Sequence, residues 1–345
     1  MKNKIKIGLL FGGMSPEHEI SIISAKSVYK NLDKEKYEVF SYYIDKKGFW
    51  SEVESPENIE KRKNEPAPFI AFKGNSSFIE LVDIFFPILH GPYGEDGTIQ
   101  GIFESLKIPF VGAGVAGASV TMDKVLTKKI LEADGIPVTD YLILWKNNDI
   151  LTEPQRITDS VYEALKFPVF VKPSNSGSSI GITKVKNTEN LPSAIKKAFK
   201  YSEKILIEEE IENAREIEVS VFSDKKGIRV SVPGEVIPFN EFYDYEDKYK
   251  LGKTKFKIPA KLPEKLVRKI QKAAYDSFRI LELYGMSRVD FLLDKDNNFY
   301  VNEVNAIPGF TSISMYPRLW EESGIKYSGL LDLLIQSGLQ RYEQR

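Results

Sequence analysis

In the first third of the chain, short runs of apolar residues alternate with segments in which apolar residues recur at helical spacing. This pattern predicts strands alternating with helices. Residues 5–11 form an apolar run typical of a buried strand. A helix is predicted over residues 15–32, with Ser15 as its cap and Pro16 in its first turn. Further strands are predicted at residues 37–44, 82–89 and 109–111. This order of elements is typical of an open, parallel α/β sheet.

Nearer the C-terminus, two stretches with strand alternation flank a turn-forming segment, residues 294–298, and predict an antiparallel hairpin. Folding about that turn places Asp290 opposite Glu303 and Arg288 opposite Asn305, with all four side chains on one face. Two carboxylates directly opposite each other repel unless a cation lies between them. Oxygen ligands from Asp, Glu and Asn suit a hard ion such as Mg²⁺. The alternative is a solvated sheet face bridged by the arginine.

The length of 345 residues is too great for one small core and predicts two or three domains. We expect a multidomain protein of α/β and α+β class. Its predicted parts are an N-terminal open parallel α/β domain, a smaller α+β unit and a second α+β unit that contains the hairpin, over residues 1–120, 121–212 and 213–345.

Composition narrows the classes of function. Because 48 basic residues balance 49 acidic ones, no overall positive field favours nucleic acid as a partner. The absence of cysteine excludes disulfides, thiolate metal sites and a cysteine nucleophile. The first residues lead into a strand pattern instead of a signal peptide, and no apolar run is long enough to span a membrane. We therefore expect a cytoplasmic protein without membrane or nucleic-acid partners.

Residues 112–117 match the G-x-G-x-x-G pattern of dinucleotide-binding sites. That fingerprint also requires a second strand carrying an acidic residue about 20 residues further on. Here that position still lies in one amphipathic stretch, residues 119–133. We therefore interpret these glycines as sites of close backbone packing.

Two other segments are candidates for nucleotide binding. A loop of small residues, 173–181, follows a strand that ends in Lys172, and its N–H groups and hydroxyls suit a triphosphate. Such loops are also common as simple connections. Residues 205–211 form a strand that runs into consecutive glutamates. Those acids either protect an exposed strand edge or belong to an interdomain linker that holds adenine and ribose, and the sequence leaves both interpretations open.

Lys172 with its loop, the linker at residues 207–216 and the hairpin together look like the ATP-grasp architecture. Further strings occur in order along essentially the whole chain, at residues 12–21, 90–97, 122–124, 242–249 and 302–311. This set closely resembles the D-alanine–D-alanine ligase family. The resemblance implies an N-terminal pre-ATP-grasp domain followed by the two α+β subdomains of an ATP-grasp fold.

The resemblance also implies an activity. Members of this family use ATP to phosphorylate the carboxylate of one D-alanine, and the amine of a second D-alanine then attacks the acyl phosphate. The implied cofactors are ATP and two Mg²⁺ or Mn²⁺ ions, and the dipeptide serves peptidoglycan precursor synthesis. The resemblance further suggests a homodimer formed through the N-terminal domain.

For the nucleotide, the resemblance implies that phosphate is contacted by lysines, adenine by the linker and ribose by Glu216. The implied metal ligands are Asp290, Glu303 and Asn305. The implied nucleotide-binding residues are Lys124, Lys172, Ser178, Glu208, Glu209, Glu210, Ile211, Glu216, Phe242 and Lys248. The linker is one residue longer than in its shorter relatives. Which of the three successive glutamates contacts adenine therefore stays open.

For the amino acids, the resemblance implies that Glu17 takes the first D-alanine's ammonium group, with His90 nearby. Arg288 and the N–H of Gly309 are implied to stabilise the oxyanion of the tetrahedral intermediate, because a guanidinium stays charged and cannot act as a base. The second D-alanine's carboxylate is implied to bind Ser314 and the backbone of Met315. A hydrogen-bonded trio is implied among Glu17, Ser178 and Tyr249.

Residues 243–249 are implied to form a lid that excludes water from the acyl phosphate. The intact Lys248 and Tyr249 favour an amine over a hydroxy acid as nucleophile. D-serine or D-lactate as the second substrate is the alternative within the family. A silent ATP-binding module and an ATP-grasp ligase with another carboxylate substrate are the alternatives outside it.

Overall fold

The computed structural model describes residues 4–63, 65–66, 82–146, 154–238 and 254–343. Within these residues the chain forms three β-sheets with helices packed on them. The fold is therefore mixed α/β with several sheets, which confirms the predicted class at this level. No helix in the described part of the chain is both long enough and apolar enough to cross a membrane.

The N-terminal sheet has its strands in the order β3-β2-β1-β4. Strand β1 lies parallel to β2 and β4, and β3 lies antiparallel to β2. The elements of this region are β1 (Ile5–Gly12), α1 (His18–Asn31), β2 (Tyr37–Ile44), β3 (Trp50–Val53), β4 (Ile84–Ile88) and α2 (Thr98–Ser105). The three predicted strands at residues 5–11, 37–44 and 82–89 are confirmed.

Three details of the prediction differ from the structure. Helix α1 begins at His18, because Ser15 instead forms a turn in which its hydroxyl accepts the Glu17 N–H at 2.9 Å. The expected strand at residues 109–111 is reduced to a single parallel bridge between Phe85 and Phe110. The predicted stretch at residues 119–133 is likewise divided into two helices, α3 (Val115–Met122) and α4 (Lys124–Ala133).

The glycines of residues 112–117 serve packing, as the sequence predicted. A Cβ atom on Gly117 would lie 2.8 Å from the carbonyl oxygen of Glu282, so helix α3 can approach that backbone only with glycine at this point.

The middle sheet is antiparallel throughout, in the order β5-β8-β6-β7. Its core contains apolar side chains of the strands and of two helices on one face. Its elements are β5 (Tyr141–Trp145), α5 (Pro154–Ala164), β6 (Val169–Pro173), β7 (Thr183–Val185), α6 (Leu191–Ala198) and β8 (Lys204–Glu209).

The C-terminal sheet has the order β12-β11-β9-β13-β14, with β10 paired to β9. Helix α7 is strongly amphipathic and buries its apolar stripe against this sheet. The elements are β9 (Arg215–Asp224), β10 (Gly227–Val230), β11 (Gly234–Ile237), β12 (Lys255–Lys257), α7 (Glu264–Ile280), β13 (Met286–Leu293), β14 (Phe299–Asn305), α8 (Met315–Glu322) and α9 (Tyr327–Glu343).

Strands β13 and β14 form the predicted hairpin, and the two residue pairs predicted for it are confirmed. Arg288 lies opposite Asn305, and Asp290 lies opposite Glu303. Strand β13 also pairs with β9, which places Glu218 on the other side of Asp290. Three carboxylates therefore lie side by side on neighbouring strands.

The prediction did not include a β-bulge after Asp290. Beyond this point the register shifts, so that Phe291 pairs with Val301 and Asn302 becomes the extra residue of β14. Such a bulge changes the direction of side chains locally, and here the Asn302 amide oxygen accepts a hydrogen bond from Lys172 of the middle sheet at 3.3 Å.

Helix α9 connects the N-terminal and C-terminal sheets. Its buried leucines belong to the same apolar cluster as strands β1 and β4. Arg341 donates to the carbonyl of Gly112 at 3.2 Å and to Glu104 at 3.1 Å, while Ser337 donates to the carbonyl of Ser223 at 2.7 Å. Both sheets are thus fastened to one helix.

Two glycines in helix α9 provide a matched test of this packing. A Cβ atom on Gly338 would lie 2.7 Å from Ile84 and 2.9 Å from the carbonyl of Phe110, whereas one on Gly329 would meet nothing within 4 Å. We expect Gly329→Ala to raise the free energy of unfolding by up to about 1 kcal/mol through helix propensity. Gly338→Ala should lower it by about 1–3 kcal/mol through overpacking. Chemical denaturation measures both, and equal effects would contradict the packing described.

Candidate active site

Two adjoining cavities lie where the three sheets meet. The larger, of about 470 Å³, lies between the middle and C-terminal sheets and is lined by the linker after β8. The smaller, of about 120 Å³, lies between the N-terminal loops and the C-terminal sheet. Lys124, Glu218 and Glu303 line both. A group bound in one cavity can therefore lie against a group bound in the other.

The hairpin carries the predicted charged residues at the boundary of the two cavities. Arg288 makes a two-point contact with Asp290, with nitrogen to oxygen distances of 2.7 and 2.6 Å. Its Nε also lies 3.0 Å from Glu218. Asn305 donates its amide to Asp290 at 3.0 Å. The predicted neighbours are therefore in contact, and Arg288 neutralises much of the negative charge around it.

These residues fit a magnesium site that phosphate oxygens complete. Among the described residues, no group of three or more His, Cys, Asp or Glu side chains is placed to hold a metal ion on its own. The hairpin instead offers two facing carboxylates, Asp290 and Glu303, and the amide of Asn305. Mg²⁺ is usually held by one or two carboxylates together with substrate phosphates and water.

Two of the three predicted phosphate-binding lysines bring positive charge to the boundary between the cavities. Lys124 donates to the carbonyl of Ser176 at 2.7 Å, and its ammonium lies 3.8 Å from Glu303. Lys172 contacts the carboxylate of Glu208. Both lysines line the larger cavity, which suits an anionic ligand.

Glu208 lies at the centre of a buried ionic network. Its side chain and that of Lys128 are each 2% exposed, with 3.0 Å between Lys128 Nζ and Glu208 Oε2. Burial alone would raise the pKa of Glu208, but the nearby Lys128 and Lys172 outweigh it and lower this pKa to about 2. The Glu208 side chain is therefore ionised and held by lysines.

The rest of the linker lines the larger cavity, as the adenine and ribose assignments require. The Glu209 carboxylate accepts the backbone N–H of Lys166 at 2.7 Å, and the Glu210 carboxylate lies 2.7 Å from Lys184. Ile211 and Glu216 line the same cavity.

The small-residue loop after β6 is held by a buried aspartate. Asp123 caps helix α4 by accepting the N–H groups of Val125 and Leu126. The same carboxylate accepts the Ser174 hydroxyl at 2.6 Å and the Lys204 ammonium at 2.5 Å. The start of α4, which carries Lys124, is thereby fixed against the loop.

Glu17 lies at the smaller cavity and is held by that loop. The Ser178 hydroxyl donates to the Glu17 carboxylate, as the predicted trio requires. A Cβ atom on Gly177 would lie 2.5 Å from this carboxylate. Glycine is therefore needed at position 177 for Glu17 to keep its place.

His90 lines the smaller cavity, but both of its ring nitrogens have protein partners. Nδ1 lies 3.1 Å from the carbonyl of Ile307, and Nε2 lies 3.1 Å from the Ser24 hydroxyl. Burial lowers the pKa of His90 to about 4, so the ring is neutral at physiological pH. These hydrogen bonds join His90, which follows β4, to helix α1 and to the loop after β14.

The residues assigned to the oxyanion and to the second D-alanine's carboxylate also line the smaller cavity. They are Arg288, Gly309, Ser314 and Met315. Ser314 precedes helix α8, and its hydroxyl accepts the N–H of Thr311 at 3.0 Å. The positive end of the α8 dipole therefore faces the cavity, which suits a carboxylate.

Three predicted site residues, Phe242, Lys248 and Tyr249, lie outside the described residues, as does the predicted lid.

The structure brings in residues that the sequence analysis missed. Glu95 accepts the N–H groups of Gly91 at 2.7 Å and Ile307 at 3.0 Å, and burial followed by the charge of Glu17 raises its pKa. Lys128 lies one helical turn after Lys124, but that spacing alone does not reveal its burial against Glu208.

The comparisons with known proteins agree with this geometry. A family model described as D-ala D-ala ligase N-terminus matches residues 6–113, and one described as D-ala D-ala ligase C-terminus matches residues 130–336. A protein named D-alanine–D-alanine ligase from Thermoanaerobacter sp. strain X514 is 46% identical over 358 aligned positions, covering 99% of this chain and 98% of the relative. One of the same name from Clostridium acetobutylicum is 46% identical and covers 98% and 99%.

Solved structures show the same likeness. The D-alanine-D-alanine ligase from Coxiella burnetii has a TM-score of 0.82 and 35% identity, covering 99% of this chain and 95% of that chain. The VanG D-Ala:D-Ser ligase from Enterococcus faecalis has a TM-score of 0.84 and 32% identity, covering 97% and 100%. With two family matches and relatives of this identity over its length, the chain belongs to the D-alanine–D-alanine ligase family.

Proposed function

We propose that this protein joins two D-alanines into D-alanyl-D-alanine with ATP, by way of a D-alanyl phosphate, for peptidoglycan precursor synthesis. One observation carries the proposal. The facing carboxylates Asp290 and Glu303 lie on a hairpin between a large cavity suited to a nucleotide and a small cavity suited to an amino acid. Phosphoryl transfer between the two ligands would therefore occur across the hairpin.

The larger cavity holds ATP in this proposal. The linker from Glu208 to Ile211 receives the adenine, Glu216 the ribose hydroxyls, and Lys124, Lys172 and Ser178 the phosphates. Asp290, Glu303 and Asn305 would hold two Mg²⁺ or Mn²⁺ ions, which neutralise phosphate charge. Phe242 and Lys248 complete the site, and residues 243–249 cover it.

The smaller cavity holds the amino acids. Glu17 receives the first D-alanine's ammonium group, and the hydrogen bond from Ser178, joined by Tyr249, keeps its carboxylate in place. Arg288 and the Gly309 N–H stabilise negative charge on the acyl oxygen while the second amine attacks. Ser314 and the start of α8, at Met315, receive the second carboxylate. His90 supports this wall but carries no proton for the reaction.

We also propose the finer organisation. Residues 1–120 form a substrate domain, and residues 121–212 and 213–345 form the two subdomains of an ATP-grasp fold. The protein acts in the cytoplasm as a homodimer. A ligase that joins D-alanine to D-serine is the second candidate, supported by the likeness to the Enterococcus faecalis enzyme.

A substrate panel tests the proposed reaction. Phosphate release from ATP with Mg²⁺ is expected with D-alanine and at background with L-alanine. In mixtures of D-alanine with D-serine or D-lactate, we expect at least tenfold more D-alanyl-D-alanine than mixed product. Product analysis should identify D-alanyl-D-alanine. Equal rates with L-alanine and D-alanine, or no D-alanine-dependent release, would contradict the proposal, and a higher rate with D-alanine plus D-serine would favour the second candidate.

A substitution beside Glu17 tests the first amino-acid site. The added methyl group of Gly177→Ala would displace the Glu17 carboxylate from Ser178. We expect the KM for D-alanine at the first site to rise about tenfold, the scale of one charge-assisted hydrogen bond. The matched control is Gly101→Ala in helix α2, where a Cβ atom would meet nothing within 4 Å. An unchanged KM in Gly177→Ala would refute the assignment of Glu17.

A further inference from the structure

Lys128 has no part in the assignments above, although it is among the largest fully buried side chains of the described chain. Its ammonium lies 3.0 Å from Glu208 and donates to the Thr139 hydroxyl at 2.8 Å. Thr139 in turn donates to the same oxygen of Glu208 at 3.3 Å. The other oxygen of Glu208 contacts Lys172. One carboxylate is thus shared between two lysines.

The two lysines differ in what else they face. Lys172 lines the larger cavity and bonds Asn302 at its hairpin edge, and its side chain is 12% exposed. Lys128 is 2% exposed, contacts Glu208 of β8 from helix α4 and is absent from the lining of the larger cavity. A ligand phosphate could therefore reach Lys172 but not Lys128.

We propose that Lys128 is a positioning residue that neutralises Glu208 and so leaves the charge of Lys172 available to the nucleotide phosphates. The network of Lys128, Glu208 and Lys172 carries a net charge of one positive unit. Without Lys128 it would be neutral, and Lys172 would be bound to an uncompensated buried carboxylate. A phosphate would then have to compete with that carboxylate for the only cation of the network.

The inference rests on the proposed nucleotide site and assigns a role to a residue that would not touch the nucleotide. It predicts a pattern that simple loss of packing does not. Removing the charge of Lys128 should weaken nucleotide binding while Glu208 is charged. In a protein that already carries Glu208→Gln the same change should have little effect, because no carboxylate is left to compete for Lys172. A merely structural role predicts an equal loss in both backgrounds.

The test measures the Kd for ADP by calorimetry without metal, on the full chain, together with thermal unfolding. For Lys128→Met we expect Kd to rise at least tenfold, since one unit charge is lost close to the phosphates. Glu208→Gln serves as a second reference, since Glu208 is assigned to the adenine site, and adding Lys128→Met to it should change its Kd by less than about threefold. Lys129→Met, at the exposed neighbouring position of α4, is the matched control and should leave Kd unchanged.

Each outcome decides one question. If the unsubstituted protein fails to bind ADP, the proposed nucleotide site is wrong. If it binds and Lys128→Met matches Lys129→Met, or if Lys128→Met weakens ADP binding equally with and without Glu208→Gln, the role of Lys128 is overturned. Should Lys128→Met fail to fold, Lys128→Gln with the same double-variant comparison gives the same decision, since Gln retains a hydrogen bond to Thr139 without the charge.

Discussion

The structure depends most on the alignment of like charges across three neighbouring strands. Glu218, Asp290 and Glu303 lie side by side on β9, β13 and β14. Adjacent carboxylates destabilise a sheet unless positive charge offsets them. Arg288 offsets two of them through its contacts with Asp290 and Glu218. The remaining negative charge would favour a bound cation at this sheet, and lysines of other elements lie close to it.

Those lysines come from the middle sheet and the helix before it, so the same electrostatic contacts also join parts of the chain that are distant in sequence. Lys172 of β6 bonds Asn302 of β14, and Lys124 of α4 lies 3.8 Å from Glu303. Neither contact contributes much by itself at a partly exposed boundary. They join the two walls of the larger cavity, and under the proposed function such preorganisation would lower the entropic cost of binding the nucleotide.

Local patterns in the sequence predicted the hairpin register correctly, because turn composition and side-chain alternation are properties of adjacent residues. The bulge after Asp290 was not predicted, since no local signal marks the extra residue. Lys128 and Glu95 were also missed. Both are charged side chains whose burial is decided by elements far away in sequence, and charged residues are rarely assigned to an interior from pattern alone. The roles of site residues and the domain boundaries stay predictions.

The central claim is that the facing carboxylates bind cations which in turn bind the nucleotide. Its most direct test is the coupling between Mn²⁺ and ADP, measured as the Kd for ADP with and without Mn²⁺. We expect Mn²⁺ to tighten ADP binding at least tenfold in the unsubstituted protein and in Glu322→Gln, an exposed control. In Glu303→Gln the tightening by Mn²⁺ should largely vanish while the unfolding temperature stays close to normal. Full tightening in Glu303→Gln would contradict the claim.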